Sequence, residues 1–151
     1  QMSVLGRHHR LVITFFHAIN SFMMLKRKGI SKLRQIAKDA LVALRAAAKD
    51  SKWNYGNKVY LLEAELSSHE GRNEDAKSFY AAAILASRSS RFKHEEGLAC
   101  ELAGFHYKKI GDLHRAWGFF NKAKQCYAEW GSDVKVNFIT RQLSVLRDGG
   151  R

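Results

Sequence analysis

The side chains in this 151-residue sequence that could hold a metal ion are its seven histidines and two cysteines. His8 and His9 are adjacent, so on a helix they would point about 100° apart and could not easily chelate one ion together. His106 and His114 flank a glycine turn, and Cys100 precedes them in the same helical run. Structural zinc sites use four ligands at tighter, repeated spacing. The sequence therefore favours structural or surface histidines and predicts no metal site.

The spacing of residues along a helix also shows whether candidate catalytic side chains could meet. Cys100 and His106 are six residues apart on one predicted helix, which places them on opposite faces. Carboxylate pairs such as Glu95–Glu96 occupy adjacent helix positions that also face different ways. The sequence contains neither a GxSxG nucleophile elbow nor a Walker-type phosphate loop. We therefore expect a protein that is not an enzyme and uses no cofactor.

Helices must position these side chains, because the sequence contains no proline and is rich in helix-forming residues. Glycines divide it into helical runs, and residues that cap helix N-termini follow several of them. The glycines are Gly29, Gly56, Gly71, Gly111, Gly131 and Gly149, and the caps are Ser31, Asn73, Asp112 and Ser132 or Asp133. Seven helices are predicted, at about 5–28, 31–49, 57–70, 73–88, 92–110, 113–130 and 133–147. The expected fold class is all-α.

A pattern of small and aromatic residues recurs at an offset of 40 residues. The offset relates five pairs of positions, which are Ala64 and Gly104, Gly71 and Gly111, Ala76 and Ala116, Tyr80 and Phe120, and Ala83 and Ala123. Such a repeat of two helices is the signature of a stacked solenoid. We therefore predict one domain over 1–151, a right-handed stack of antiparallel hairpins at about 5–49, 57–88 and 92–130, followed by the helix at 133–147. Gly104 and Ala116 are expected to face each other where the two helices of a hairpin meet.

The segment with Gly104, Tyr107, Gly111, Ala116 and Phe120 resembles the tetratricopeptide repeat. The period of 40 residues is longer than the 34 of that family. The proline that usually ends each repeat is missing. The resemblance implies that the first helix of each hairpin lines a groove for a protein partner. The side chains that correspond to groove residues are Glu65, His69, Glu101, Phe105, Lys108 and Lys109.

Residues 57–136 also resemble the long-repeat helical segment of giant multidomain signalling proteins, in which it follows an AAA-type ATPase module and precedes GAF and histidine-kinase domains. The motifs that carry this resemblance are residues 60–65 (YLLEAE), 94–99 (HEEGLA), 101–103 (ELA) and 128–131 (AEWG). It implies a non-catalytic interaction or scaffold module, either belonging to or derived from a larger signalling protein, or a subunit of a larger assembly.

Positive charge is concentrated in the first third of the chain. The formal net charge is +12, and residues 1–50 contribute ten Lys/Arg against Asp39 and Asp50, a balance of +8. This excess favours anionic partners, including acidic proteins. An alternative function is therefore a basic subunit that docks on RNA or on an anionic assembly through residues 7–49. Its contacts would be Arg7, Arg10, Lys26, Arg27, Lys28, Lys32, Arg34 and Lys38.

The most apolar stretch, residues 11–25 (LVITFFHAINSFMML), is shorter than the roughly 20 residues that cross a bilayer. A core helix is the favoured interpretation, and a helix lying on a membrane surface is the alternative. Its apolar stripe is wider than one neighbouring hairpin needs, so we expect an outer surface that includes Phe16 and Met23 to contact another protein. The two cysteines show no disulfide framework, which predicts a reducing intracellular compartment.

Overall fold

The computed structural model describes residues 3–24 and 29–149, and these residues form seven α-helices and no strand. The helices are α1 (Val4–Met24), α2 (Ile30–Asp50), α3 (Lys52–His69), α4 (Asn73–Ser89), α5 (Lys93–Lys109), α6 (Leu113–Trp130) and α7 (Asp133–Gly149). The expected all-α class is confirmed. The predicted end of the first helix, at residues 25–28, lies outside the described residues.

The boundary between α2 and α3 differs from the sequence-based prediction. Gly56 was expected to end a helical run, but it lies buried inside α3, which begins four residues earlier. The break falls instead at Ser51, whose backbone (φ −146°, ψ 77°) leaves the helical region. A glycine inside a helix costs only about 0.5–1 kcal/mol relative to alanine, so a glycine alone does not fix a boundary. Gly29 ends no helix within the described residues, and it is the N-cap of α2.

Four turns between helices share one geometry and recur every 20 residues. Gly71, Arg91, Gly111 and Gly131 occupy the left-handed region of backbone space. In each turn, the next residue's amide donates a 2.9 Å hydrogen bond to a carbonyl oxygen five residues earlier, in the pairs 72→67, 92→87, 112→107 and 132→127. This is the Schellman arrangement that ends α-helices. The 40-residue repeat of the sequence therefore consists of two 20-residue steps.

The chain forms two compact units, which divide between Phe79 and Tyr80. In the first unit α1 packs against α2 and α3, and α2 packs against α3. Its core includes Phe15, Phe22, Leu44 and Leu62, all almost completely buried. In the second unit α6 packs against both α5 and α7. The division falls within α4, whose residues belong to both units.

The positions related by the 40-residue offset are core positions in both units, apart from the two exposed turn glycines. Within the second unit, however, the side chain nearest to Gly104 across the hairpin is Phe120 and not Ala116. The ring of Phe120 covers Gly104 so closely that an added Cβ would lie 2.7 Å from it. The same ring contacts Phe105 edge-on, with 5.1 Å between centroids. The repeat thus places a large aromatic over a small residue inside one hairpin.

Candidate functional site

Helix α1 has apolar side chains on two faces. Its inner face buries Phe15, Ile19 and Phe22 in the first unit. Along one flank of this face, Leu5 is 80% exposed and Met23 is 45% exposed. A helix that only completes a core normally has one apolar stripe and a polar opposite face. The second apolar face of α1 is therefore the feature that its packing in the first unit does not explain.

The second face is continuous along the helix. Leu5, Val12, Phe16 and Met23 are spaced seven, four and seven residues apart, which places them in one line on an α-helix. We call these four residues the outer stripe. Val12 and Phe16 are half-buried, and the Phe16 ring meets that of Phe15 edge-on at 4.9 Å. The outer stripe contains the two residues, Phe16 and Met23, that the sequence assigned to a partner contact.

The charged side chains on α1 itself are all basic. Between Val4 and Met24 there is no aspartate or glutamate, and Arg7 and Arg10 are exposed. His8 is held by the first unit, because its Nδ1 lies 2.7 Å from the hydroxyl oxygen of Tyr55. Arg7 and Arg10 lie on the side of α1 away from the outer stripe, so a partner on the stripe would meet no carboxylate along α1.

A second candidate surface is a cleft of about 640 Å³ between α2 and α3 in the first unit. Its floor contains Leu41 and Leu66, and its charged lining consists of Arg34, Lys38, Arg45, Arg72, Glu63 and Glu70. The cleft unites Arg34 and Lys38 of the predicted anion-binding set with two arginines that the sequence reasoning missed. Arg45 could have been found, because it lies on the same face of α2, seven residues after Lys38.

The arginines of this cleft are already paired with carboxylates. Arg34 and Arg72 donate hydrogen bonds of 2.8 and 2.9 Å to Glu70, and Arg45 pairs with Glu63. The hydrogen bonds from the two arginines hold the pKa of Glu70 below its usual range. The cleft therefore presents less free positive charge than its residue types suggest.

The other residues of the predicted anion-binding set are dispersed. Arg7, Arg10 and Lys32 are exposed, the first two on α1 and the third in the first turn of α2. Lys26, Arg27 and Lys28 lie outside the described residues.

The two predicted groove residues of the first unit face its interior. Glu65 is buried on α3. The Nδ1 of His69 lies 2.9 Å from the carbonyl oxygen of Glu65, and the His69 ring packs 4.8 Å from that of Phe22. His69 thus contacts the inner face of α1.

In the second unit, Glu101 holds three helices together. Its side chain is 1% exposed, the Tyr127 hydroxyl of α6 donates a 2.5 Å hydrogen bond to it, and Lys135 of α7 donates another at 2.9 Å. Burial and the charge of Glu101 raise the pKa of Tyr127. The sequence analysis predicted Glu101 as a groove residue, but it did not predict its hydrogen-bond partners Tyr127 and Lys135. These partners lie 26 and 34 residues further along the chain.

The remaining predicted groove residues lie on the second half of α5. Phe105 is half-buried between Phe120 and Phe138, with centroid distances of 5.1 and 6.2 Å. Lys108 is half-buried, and Lys109 is exposed at the end of the helix. Of the residues predicted to line the groove, Lys109 is the one that lies most open to solvent.

The histidines and cysteines occupy separate environments in the described part of the chain, where no three His, Cys, Asp or Glu side chains are placed to share a metal ion. The ring of His94 packs 4.3 Å from that of Trp130, and burial lowers the pKa of His94. Cys100 and Cys126 are neighbours across α5 and α6, and both are buried.

Two further findings concern membrane crossing and similarity to known proteins. Among the helices of residues 3–24 and 29–149, none combines the length and the apolar character that a membrane crossing requires. Protein-family models, curated proteins and solved structures were compared with the chain, and none of them matches it.

Proposed function

We propose that this chain is a non-catalytic protein-interaction module whose outer stripe on α1 receives an amphipathic helix from an acidic protein partner. The observation that carries the proposal is the second apolar face of a helix whose first apolar face is already used by the core. Removing a large apolar side chain from water contributes roughly 1.5–3 kcal/mol. Covering Leu5 and Met23 is therefore a substantial source of binding free energy.

The spacing of the outer stripe favours a helical occupant. Steps of seven, four and seven residues are the heptad spacing with which helices pack side by side. A helix-in-groove partner would contribute its own apolar anchors at intervals of three and four residues. No carboxylate on α1 opposes acidic residues beside those anchors, and the basic charge of residues 1–50 as a whole favours an acidic partner.

The repeat supports a scaffold role for the rest of the chain. Apart from the two turn glycines, the positions that recur at 40 residues are buried, as expected if each hairpin is one structural unit of a longer array. We infer that the module belongs to, or derives from, a larger signalling ATPase or kinase, or is a subunit of a larger assembly. Lys109 is the exposed last residue of α5, and it is a further contact for an acidic partner.

A synthetic peptide tests the proposal. It carries Leu at heptad positions a and d and Glu at e and g, and its binding is measured by fluorescence anisotropy. We expect the Phe16→Glu/Met23→Glu variant to bind at least about tenfold more weakly than the unchanged protein, which corresponds to about 1.4 kcal/mol. The fold should persist, as checked by circular dichroism.

Two controls sharpen this experiment. Val134→Glu/Val145→Glu places the same charges on exposed apolar positions of α7 and should leave binding unchanged. A peptide with Ser at the a and d positions should not bind. Equal affinity of both double variants would contradict the docking role of α1. A dimer that the α1 variant dissociates would assign the outer stripe to a second copy of the chain instead.

The alternative function is anion binding at the cleft between α2 and α3, which the convergence of Arg34, Lys38, Arg45 and Arg72 favours. Phosphate binding weakens steeply as salt rises, because counterions are released, whereas an apolar docking surface is much less sensitive. Single-stranded RNA is the probe. Binding that falls steeply with salt and is lost in Lys38→Glu/Arg45→Glu would establish this function. Ion pairing with Glu63 and Glu70 makes it the second candidate.

A further inference from the structure

Cys100 and Cys126 belong to different helices of one hairpin and lie in contact inside the second unit. The side chains of Cys100 and Cys126 are close enough to interact through a hydrogen bond between the two thiols. The helices approach closely here, since a Cβ added at Gly97 would lie 3.2 Å from the Cβ of Cys126. Gly97 is one helical turn before Cys100, so the absence of a side chain at 97 brings α6 against the turn that carries this thiol.

The two thiols are not equivalent. Cys100 is completely buried, whereas Cys126 is 5% exposed. The hydrogen bond between the two thiols, together with deeper burial, raises the pKa of Cys100, and the same hydrogen bond lowers the pKa of Cys126. Lys93 also favours the thiolate of Cys126, while burial and the nearby Glu96 and Glu129 oppose it. The thiolate is the form that reacts, so the two properties together select Cys126 as the first sulfur to react.

We propose that Cys100 and Cys126 form a reversible intramolecular disulfide when the protein meets a peroxide, with Cys126 as the attacking thiol and Cys100 as the resolving thiol. The Cys126 thiolate attacks one oxygen of hydrogen peroxide, the O–O bond breaks, and the departing hydroxide takes up a proton. Cys126 is then a sulfenic acid. The sulfur of Cys100 attacks the Cys126 sulfur, the S–O bond breaks, and the thiol proton and the hydroxide leave as water.

The electron balance of this reaction is complete. Two thiols are oxidised by two electrons to one disulfide, and one peroxide is reduced to two waters. A dithiol reductant reverses the reaction by thiol–disulfide exchange. The bond closes a loop between α5 and α6 and so restricts the unfolded chain more than the folded hairpin. The oxidised protein should therefore melt at a higher temperature than the reduced protein.

Thiol counting tests the proposal on the unmodified chain. Folded protein is treated with a small excess of hydrogen peroxide, quenched, unfolded and labelled with a maleimide. We expect both thiols to be lost, the monomer mass to fall by that of two hydrogen atoms, and dithiothreitol to restore both thiols. Two thiols that remain free in the folded protein, but oxidise in urea, would overturn the proposal. A disulfide-linked dimer would overturn it as well.

Single substitutions test the order of the two steps. Cys100→Ala should leave Cys126 as a sulfenic acid that dimedone traps, whereas Cys126→Ser should leave Cys100 unreacted. Trapping at Cys100 and not at Cys126 would contradict the assigned roles. Thermal melting of each variant reports whether it is folded, and the thiol count on the unmodified chain decides whether the disulfide forms.

Discussion

Gly104 lies beneath the ring of Phe120, and no side chain fits between the two. The nearest ring atom would be 2.7 Å from an added Cβ, a separation that real Cβ atoms do not adopt. The ring itself is fully buried and touches Phe105, so it has little freedom to move away. At this position the residue type is dictated by one neighbouring side chain.

Gly104→Ala should therefore destabilise the protein by about 1–3 kcal/mol through overpacking, and Gly104→Leu by at least as much. Gly118→Ala is the matched control, because Gly118 also lies inside a helix but has nothing within 4 Å of an added Cβ. Helix propensity alone predicts that this control is stabilised by about 0.5–1 kcal/mol. Urea unfolding of both variants checks the pair. Opposite signs are expected, and a stabilised Gly104→Ala would refute the close contact.

The sequence predicted which residues are small at this contact and did not predict what covers them. Gly104 was paired with Ala116 because both are small and they lie on opposite sides of the turn. The contact with Phe120 depends on the crossing angle and register of α5 and α6, which many side chains determine together. The same limit applies to Glu101, whose partners on α6 and α7 become neighbours only after the helices pack.

At the scale of the element, the four helix ends that recur every 20 residues share a left-handed backbone conformation. Glycine adopts the left-handed conformation without strain, and three of the four turns use it. Arg91 is the exception, with φ 59°. No glycine marks this turn, yet the sequence analysis predicted a break between about 88 and 92, and in the structure α4 ends at Ser89 and α5 begins at Lys93. The sequence did not indicate that Arg91 would adopt the left-handed conformation.

Arg91→Gly should stabilise the protein by about 0.5–1 kcal/mol, because it removes the strain of a left-handed residue with a side chain. Part of that gain is offset by the greater freedom of glycine in the unfolded chain. Gly111→Ala is the reciprocal change at an equivalent turn, where an added Cβ has open space. It should destabilise by a similar amount. Thermal melts of both variants check the pair, and a destabilised Arg91→Gly would show that the arginine side chain has a stabilising role.

At the scale of the whole molecule, burial is uneven along the chain. Helices α3 and α5 each bury eleven residues, including charged ones, whereas α1 is exposed over most of its first seven residues. The sequence predicted that α1 is a core helix with an additional apolar outer surface. In the structure, α1 buries one set of apolar side chains and leaves others, such as Leu5 and Met23, exposed. The surroundings of α3 and α5 were less predictable, because buried Glu65, Glu96 and Glu101 look like solvent-facing positions when their partners are unknown.

Amide hydrogen exchange followed by mass spectrometry should reproduce this gradient. Backbone amides exchange when a segment opens, and segments with few buried contacts open at the lowest free energy. Peptides from the centre of α5 should exchange slowest within the second unit. In the first unit the start of α1 should exchange before the centre of α3. Equal protection of residues 4–10 and 58–66 would contradict the burial pattern and would indicate that another chain covers α1 in solution.

The shortness of the turns has a kinetic consequence. The turns from α3 to α7 contain only two or three residues, and within each unit the packed helices are neighbours or next neighbours in the chain. A chain with such local contacts loses little loop-closure entropy before its native contacts form. Refolding of a helical protein with this connectivity takes on the order of milliseconds or less. The apolar residues of α1 are therefore exposed together with an unfolded core only briefly, which limits their opportunity to aggregate before the helix is in place.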